Sequence, residues 1–366
     1  MQVLLRGLHR RMAVAVAATA AATAFPATAQ QTINLTIGAS HPTVVPWVGL
    51  MQSYFQPEVN KRLAEAGNRY RIAWREGYGG VLYKPNATLS SLGQGVVDVG
   101  WVFAATEGAR LPLSQVSSYA PALTGDPRQV IDIFNRLVPS TPALKAEWER
   151  NNAVFLAATA ADTLDLYTTF PVNGLADLKG KKFAASGAVA LMAGGAGIVP
   201  VNSALPSYYN DVKTGVVSGV ITIASGAIGI KLHEVTPYIT QVDLGSFLSG
   251  ALAVNKDSWN RLPAEVRSVM QAVARDYSRR LGELMLDSRK AALQVMVERG
   301  KSQNPPVRIS ALPAAEREAW IRALPALGRD WAKGLDAKGQ PGTQVLTAYM
   351  QAVRQLGVAP LREWDK

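Results

Sequence analysis

The sequence contains no cysteine among its 366 residues. This absence excludes a disulfide scaffold, a thiolate zinc site, an iron–sulfur cluster and a cysteine nucleophile. Histidine is almost as scarce, because only His41 and His233 occur beyond residue 29. A metal site or a Ser-His-Asp triad would need these two residues. We therefore expect neither a resident metal ion nor another cofactor.

Motifs that bind phosphate or activate a serine are also missing. The chain has no G-x-x-x-x-G-K-[ST] loop, no G-x-S-x-G elbow and no H-E-x-x-H helix. The glycine-rich run 194–197 lacks G-x-G-x-x-G spacing, and we interpret it as a flexible helix entry. The formal charge of +11 is dispersed and not interleaved with aromatic residues on one face, which disfavours a nucleic-acid partner.

The first 29 residues have the three parts of a secretory signal peptide. Residues 1–11 hold three arginines and no acid, residues 12–25 are apolar, and Ala27-Thr28-Ala29 supplies small residues for cleavage. The pair Arg10-Arg11 leaves both the Sec and the twin-arginine routes open. No later segment offers about 18 uninterrupted apolar residues. The sequence predicts export to the periplasm, with the mature chain starting near Gln30.

Strand and helix patterns alternate along the mature chain, which predicts an α/β fold with mostly parallel sheets. The predicted strands are 33–39, 70–74, 96–102, 153–160, 183–185, 216–223 and 251–255, and the predicted helices are 46–65, 82–92, 127–138, 142–150, 207–213 and 263–299. The last helix, of about 37 residues, would be about 55 Å long at 1.5 Å per residue, which is longer than a single small domain is wide. We expect it to connect two lobes, followed by two more helices over residues 314–357.

Four stretches resemble sequence signatures of one transport family. Pro171–Lys182 is similar to P-v-n-s-l-x-D-L-K-G-x-K, and Ser207–Gly219 is similar to E-v-Y-x-A-L-q-x-G-v-v-D-G. Asn255–Val266 is similar to N-k-x-x-w-x-x-L-P-x-e-v, and Leu92–Gly100 fits a first-lobe counterpart. In this order and spacing, the four motifs resemble the DctP-type solute-binding proteins of tripartite ATP-independent periplasmic (TRAP) transporters.

This resemblance implies a two-lobed periplasmic binding protein fold with a long helix spanning both lobes and a C-terminal helical extension. We expect lobe I over residues 30–161, completed by about 250–285, and lobe II over 162–249, completed by about 286–309. Residues 310–366 would form the C-terminal helical segment. The implied partners are a small-molecule solute and the small and large TRAP membrane subunits, with the carrier a monomer or a homodimer.

Departures from the family pattern bear on the ligand. The arginine that follows D-L-K-G-x-K-x in the family is Ala184 here, and no lysine or arginine occurs between Arg150 and Lys179. Alanine cannot form the bidentate carboxylate contact of an arginine. The ligand is therefore neutral, zwitterionic or amine-bearing, or a cation from elsewhere replaces the arginine. The candidate cations are Arg75, Lys84 and Arg110.

The predicted ligand-binding residues lie at strand ends and near the expected hinge. They are Ser40, His41, Tyr78, Trp101, Asp162, Asp165, Tyr167, Ser186, Thr222 and Phe247. Aromatic rings at the carboxyl ends of strands can form the wall of a cleft for an apolar or cationic ligand. Asp162 and Asp165 are the predicted acceptors for a ligand amine, with the alternative that one of the two accepts a hydrogen bond within the hinge.

Two other functional interpretations remain open at this point. One is an ABC-type periplasmic binding protein, which shares the two-lobed architecture. The other is an exported enzyme in which His41 and either Asp98 or Asp162 form an acid/base pair. A carrier returns its ligand unchanged, whereas an enzyme converts it, so the two classes can be separated by experiment.

Overall fold

The computed structural model describes residues 30–366, so the predicted signal peptide lies outside the described residues. Its strands form two separate mixed sheets, of five and six strands. The strands are β1 (Gln31–Gly38), β2 (Tyr70–Gly77), β3 (Val99–Val102), β4 (Ala153–Ala160), β5 (Leu164–Thr168), β6 (Lys182–Ala185), β7 (Val199–Asn202), β8 (Gly219–Ile223), β9 (Tyr238–Gln241), β10 (Leu248–Asn255) and β11 (Arg308–Ala311).

Helices cover both faces of each sheet, as expected of an α/β fold. They are α1 (Pro46–Leu50), α2 (Gln56–Glu65), α3 (Thr88–Gly93), α4 (Val116–Tyr119), α5 (Pro127–Ser140), α6 (Pro142–Arg150), α7 (Ala188–Ala193), α8 (Tyr208–Lys213), α9 (Ala224–Gly229), α10 (Lys256–Arg261), α11 (Ala264–Gly300), α12 (Ala314–Ala323), α13 (Leu327–Asp336) and α14 (Gly342–Gln355). A π-helical turn, Met51–Phe55, joins α1 to α2 in one rod. Among residues 30–366, no helix is both long and apolar enough to cross a bilayer.

Lobe I contains the five-stranded sheet, in the order β2-β1-β3-β10-β4. Strands β1, β2 and β3 run parallel, while β10 runs antiparallel to β3 and β4. The prediction that the strand near Ala251 returns to the first lobe is confirmed by its pairing with β3 and β4. The carboxyl ends of β1, β2, β3 and β4 therefore meet at one edge of the sheet.

Lobe II contains the six-stranded sheet, in the order β11-β9-β5-β8-β6-β7. Strands β6, β7 and β8 are parallel, and β5 runs antiparallel to β8 and β9. The chain passes between the sheets through two short crossings, Ala161–Thr163 after β4 and Val242–Phe247 before β10. The crossings are joined by hydrogen bonds from Ala161 N to Phe247 O at 3.0 Å and from Leu244 N to Leu164 O at 3.1 Å.

Helix α11 is a third connection between the lobes. Its first half buries Val266 to Met285 in the core of lobe I, and its second half buries Ala292 to Met296 in the core of lobe II. These 37 residues match the predicted helix to within one residue at each end. The predicted two-lobed α/β fold with a long spanning helix is confirmed.

The C-terminal segment contains three helices, so the expectation of two is wrong. Pro325 and Pro341 divide the predicted pattern, because proline lacks the N–H that a helix interior requires. Helix α12 packs on lobe II, where the indole of Trp320 donates to Met192 O at 2.8 Å. Helices α13 and α14 pack on α4 and α5 of lobe I. The segment thus covers both lobes of its own chain.

Several predicted boundaries are also corrected. The strands expected from residues 96 and 216 begin three residues later, because Gly95 (φ +75°) and Gly215 (φ +73°) end the preceding helices in the left-handed region. The helix expected over 82–92 is shortened to α3, because a 3-10 turn at Pro85–Ala87 precedes it. The run 194–197 closes α7 and does not open a helix.

Candidate functional site

The carboxyl edge of the lobe I sheet carries most of the aromatic residues near the lobe junction. Ser40 and His41 follow β1, Tyr78 follows β2, and Phe103 follows β3. The two loops after β1 and β2 are tied together, because Gly79 N donates to His41 O at 3.0 Å and Gly80 N donates to Ala39 O at 3.1 Å. Ligands of open α/β sheets bind at this edge.

Four rings at this edge form what we call the aromatic cluster: His41, Trp47, Trp101 and Phe103. The ring of His41 meets Trp101 edge-on at 5.3 Å between centroids and Phe103 at 5.6 Å. Trp101 stacks on Trp47 at 5.3 Å and on Phe103 at 5.2 Å. Trp101 is fully buried, whereas the other three rings are partly exposed. The cluster therefore has a buried floor and an accessible face.

Hydrogen bonds fix the orientation of the cluster. The Nε1–H of Trp101 donates to Thr159 Oγ1 at 3.0 Å, and the hydroxyl of Ser40 lies 3.0 Å from His41 Nδ1. Burial lowers the pKa of His41, so its neutral form predominates near pH 7. The Nε1–H of Trp47 is buried and has no partner within the described residues. It remains a free donor beside the cluster.

Of the three candidate replacement cations, one is bonded to a loop at the carboxyl edge. The Nζ of Lys84 donates to Gly80 O at 3.1 Å, next to the loop that carries Ser40 and His41. Arg75 is exposed along β2. The carbonyl of Arg110 accepts from Asn151 Nδ2 at 3.2 Å, and Asn151 precedes β4 at the opposite edge of the sheet. Lys84 is therefore the candidate cation that the structure ties to a loop at the carboxyl edge.

Tyr78 is already engaged within lobe I. Its hydroxyl donates to Gln56 Oε1 at 3.0 Å, and burial raises its pKa above the usual range. The ring, however, belongs to the same loop as Gly79, next to His41. Because the hydroxyl of Tyr78 is already bonded to Gln56, the part of this side chain that is available to a ligand is its ring.

Asp162 and Asp165 are both fully buried and already have protein partners. Asp162 accepts from the hydroxyl and the backbone N–H of Ser225, at 2.6 and 3.1 Å. Asp165 accepts from Arg289 at 2.6 Å and from the N–H groups of Val242 and Asp243 at 3.0 and 3.2 Å. These partners occupy the oxygens that the sequence assigned to a ligand amine.

In residues 30–366, Tyr167, Thr222 and Phe247 neither stack on the aromatic cluster nor form hydrogen bonds with it. Tyr167 is fully buried within lobe II, and burial raises the pKa of its phenol well above its usual value. Thr222 is the cross-strand partner of Asp165. Phe247 lies in the second crossing and is partly buried against the hydrophobic cluster that contains Leu164 and Leu248. The structure thus brings Ser40, His41, Tyr78 and Trp101 together, and places these three residues in lobe II and the hinge.

The carboxyl edge of the lobe II sheet is lined by small residues. Ser186 is exposed just after β6, and Ser225 is the second residue of α9, which follows β8. Ala184, where the family has an arginine, is fully buried between Val201 and Val220 of the neighbouring strands. No charged side chain replaces it at this position of β6.

The acid/base pair considered for an enzyme is not formed. Asp98 precedes β3, where its carboxylate accepts from Thr36 N at 2.7 Å and from the hydroxyl of Ser258, whereas the imidazole of His41 lies beside Ser40 and the ring of Trp101. Asp162 accepts hydrogen bonds from Ser225. Neither carboxylate is hydrogen-bonded to the imidazole in the described residues.

Sequence reasoning missed three residues of the site and hinge. Phe103 could have been found, because residues two apart on a strand share a face and Trp101 was already selected. Trp47 lies in the first turn of α1 and carried no distinctive signal. Arg289 lies 124 positions from its partner Asp165, in a helix with many charged residues. No local pattern marks it.

Comparison with known proteins gives a consistent result. The model of the DctP family, described as bacterial extracellular solute-binding protein, family 7, matches residues 58–333. The C4-dicarboxylate-binding periplasmic protein DctP of Rhodobacter capsulatus is 28% identical over 152 residues. That alignment covers 42% of this chain and 44% of the R. capsulatus protein, so it spans less than half the length of this relative.

Solved structures with the same fold cover nearly the whole described chain. A TRAP periplasmic solute-binding protein from Desulfovibrio salexigens, in an open complex, superposes with a TM-score of 0.73 at 23% identity. The match covers 88% of this chain and 96% of that one. A TRAP solute-binding protein from Rhodoferax ferrireducens, in complex with copurified benzoate, gives a TM-score of 0.72 at 21% identity, covering 89% and 98%.

Proposed function

Because this chain belongs to the DctP family of bacterial extracellular solute-binding proteins, we propose that it captures a small organic solute between its lobes and delivers it to the membrane subunits of a TRAP transporter. The family match favours this role over that of an ABC-type binding protein. Residues 1–29 have the pattern of a cleaved signal peptide, which supports a periplasmic location. Closure of the lobes by hinge motion would enclose the solute.

The aromatic cluster is the observation that carries the proposal for the ligand site. Three partly exposed rings, His41, Trp47 and Phe103, cover the buried ring of Trp101 at the carboxyl edge of lobe I. Such a surface stacks favourably on a planar or apolar body. Nothing in this arrangement requires a chemical reaction, so we propose a carrier and not an enzyme.

Lys84 and His41 supply the polar groups of the proposed site. The Nζ of Lys84 is bonded to Gly80 O in a loop at the same carboxyl edge, and the oxygens of Asp162 and Asp165 are already engaged. An amine ligand would find no free carboxylate there, whereas a carboxylate could meet the ammonium of Lys84. We therefore propose a small carboxylate with a planar apolar body, held by a lysine in place of the usual arginine.

A matched panel of solutes tests the ligand class. The mature chain, residues 30–366, would be heated with benzoate, benzamide, benzylamine, phenylalanine and succinate. We expect benzoate to raise the melting temperature most, since a ligand at 100 times its dissociation constant adds about 2.7 kcal/mol of stability. If only benzamide or benzylamine raised the melting temperature, the proposal that the ligand is a carboxylate would be wrong. The proposal that the protein is a carrier would still stand. If only succinate raised the melting temperature, the proposal that the ligand has a planar apolar body would be wrong.

The role of Lys84 is tested by a matched pair of variants. Lys84→Gln should weaken benzoate binding about tenfold, equivalent to about 1.4 kcal/mol, and leave benzamide binding unchanged. Lys145→Gln removes an exposed lysine of the same lobe that pairs with Glu149 at 3.5 Å, and it should bind benzoate normally. Equal losses in both variants would indicate general charge attraction. Conversion of the bound solute, detected by mass spectrometry, would contradict the carrier.

A further inference from the structure

Asp165 lies where the two short crossings and α11 come together. It is the second residue of β5, just after the first crossing, and its Oδ1 accepts from Val242 N and Asp243 N of the second crossing. Its Oδ2 accepts from Arg289 of α11 at 2.6 Å. The carboxylate of Asp165, on the strand that follows the first crossing, therefore contacts both the second crossing and α11.

Arg289 lies at the point where α11 passes from one lobe to the other. Met285, one turn before it, is buried in the core of lobe I, and Ala292, three residues after it, is buried in the core of lobe II. The Nε of Arg289 is buried without a hydrogen-bond partner in the described part of the chain. Its contact with Asp165 is therefore the polar anchor of α11 at the lobe junction.

Burial makes this ion pair sensitive to the loss of either partner. Asp165 has no exposed surface, and the side chain of Arg289 is 20% exposed. Desolvation raises the pKa of Asp165, and the charge of Arg289 acts in the opposite direction. Removing one member would leave the other charge buried without compensation, which is strongly unfavourable.

The second crossing is also held from its other side. The guanidinium of Arg317, in α12, donates to Val242 O at 2.9 Å and to Asp243 O at 2.6 Å. Asp165 therefore binds the N–H groups, and Arg317 the carbonyls, of the same two residues. Asp243 also has a φ of +49°, a left-handed conformation that few non-glycine residues adopt. The crossing is fixed at a residue of unusual backbone geometry.

We propose that Asp165 and Arg289 form a hinge pair that sets the angle between the lobes and thereby tunes the affinity for the solute without touching it. The effect on affinity rests on the proposed carrier function, whereas the effect on the lobe angle does not. An equilibrium between lobe arrangements changes apparent affinity in proportion to the binding-competent fraction. Weakening the pair would let α11 and the second crossing move independently.

The lobe angle can be measured directly, because the chain has no native cysteine. Asn86, after β2, and Ala204, after β7, are exposed at the carboxyl edges of the two sheets. Cysteines introduced at these positions would carry spin labels, and double electron–electron resonance would give the distribution of distances between the lobes. The labelled chain is compared with and without Asp165→Asn, Arg289→Gln and both together, in the absence of any solute.

We expect each single substitution to broaden the distribution and to shift its mean by several ångströms. The double variant should show the same distribution as either single variant, because the two residues act as one unit. Arg289→Lys, which keeps the charge, should restore the distribution in part. Arg279→Gln, which removes an exposed pair with Asp276 on the same helix, should leave it unchanged.

A purely structural role would give a different result. In that case the variants would melt at lower temperature, but the distance distribution of the folded protein would match that of the parent, and this outcome would overturn the proposal. A shift in Asp165→Asn without one in Arg289→Gln would also overturn it, because the carboxylate would then act through Val242 and Asp243 alone.

Solute affinity provides the second readout. If benzoate binds the parent chain, the hinge variants should bind it about tenfold more weakly, and this loss should accompany the change in lobe distance. Unchanged affinity despite a changed distance would overturn the link between hinge and binding. If no panel solute binds the parent, the proposed ligand is contradicted, while the distances still decide the hinge pair.

Discussion

The carboxyl edges of the two sheets face the same junction but have opposite chemistry. The edge of lobe I carries four rings and a lysine, at His41, Trp47, Trp101, Phe103 and Lys84. The edge of lobe II carries alanine, glycine and serine, in the runs 184–187 and 224–226. A large, rigid surface therefore faces one that is small and hydroxyl-rich.

This difference indicates that the two lobes contribute unequally to the free energy of binding. Aromatic rings supply buried area and fixed geometry at little cost in side-chain entropy. Small residues let the backbone approach closely and supply hydroxyls that adapt to the solute. We expect lobe I to provide most of the affinity, and lobe II to exclude water once the lobes close. Substitutions at the edge of lobe I should then weaken binding more than substitutions at the edge of lobe II.

The largest effect should come from Trp101, the buried floor of the cluster. Trp101→Ala should lower the free energy of unfolding by about 3–5 kcal/mol, because it leaves a cavity and removes the hydrogen bond to Thr159 Oγ1. Trp101→Phe keeps a ring and should cost less. Chemical denaturation of the mature chain measures both. A loss below about 1 kcal/mol for the alanine variant would show that the floor can collapse and that the edge is not rigid.

Trp47 should affect binding more than stability. Its ring is partly exposed on the cluster, and its carbonyl accepts from the hydroxyl of Tyr277 at 2.6 Å, a contact that alanine would keep. Trp47→Ala should weaken benzoate binding at least tenfold, or about 1.4 kcal/mol, measured by calorimetry. Trp74→Ala, which removes another partly buried indole of lobe I that donates to Gln56 O at 3.3 Å, is the control. Equal losses would place the ligand elsewhere.

His41 should give the cluster a dependence on pH. Burial lowers its pKa below the ordinary 6.5, so the unfolded chain binds a proton at a higher pH than the folded one. The stability that comes from the neutral ring is complete above pH 6.5 and is lost as the pH falls through the folded pKa. Melting temperatures measured from pH 7.5 to 5 should fall more steeply for the parent than for His41→Asn. Parallel curves would contradict a buried imidazole.

Local patterns were sufficient for most of the fold. The strand at 153–160 and the helix at 142–150 agree with the structure residue for residue, because apolar runs and Pro142 at a helix start are local signals. The hinge could not be predicted in the same way. The contact between Asp165 and Arg289 depends on how α11 packs across both lobes. The two residues are 124 positions apart in the sequence, and a contact of this kind produces no local periodic pattern of residue types.

The smallest effect should come from Ser186, at the edge of lobe II. It is exposed just after β6 beside the hydroxyl of Tyr208, and exposed substitutions of this kind change stability by about 0.5 kcal/mol or less. Ser186→Ala should therefore weaken benzoate binding less than threefold, since a net hydrogen bond contributes about 1 kcal/mol at most sites and less where water competes. Titration calorimetry beside Trp47→Ala measures the contrast. A loss as large as that of the tryptophan variant would mean that lobe II binds the solute as strongly as lobe I, and the unequal division between the edges would be wrong.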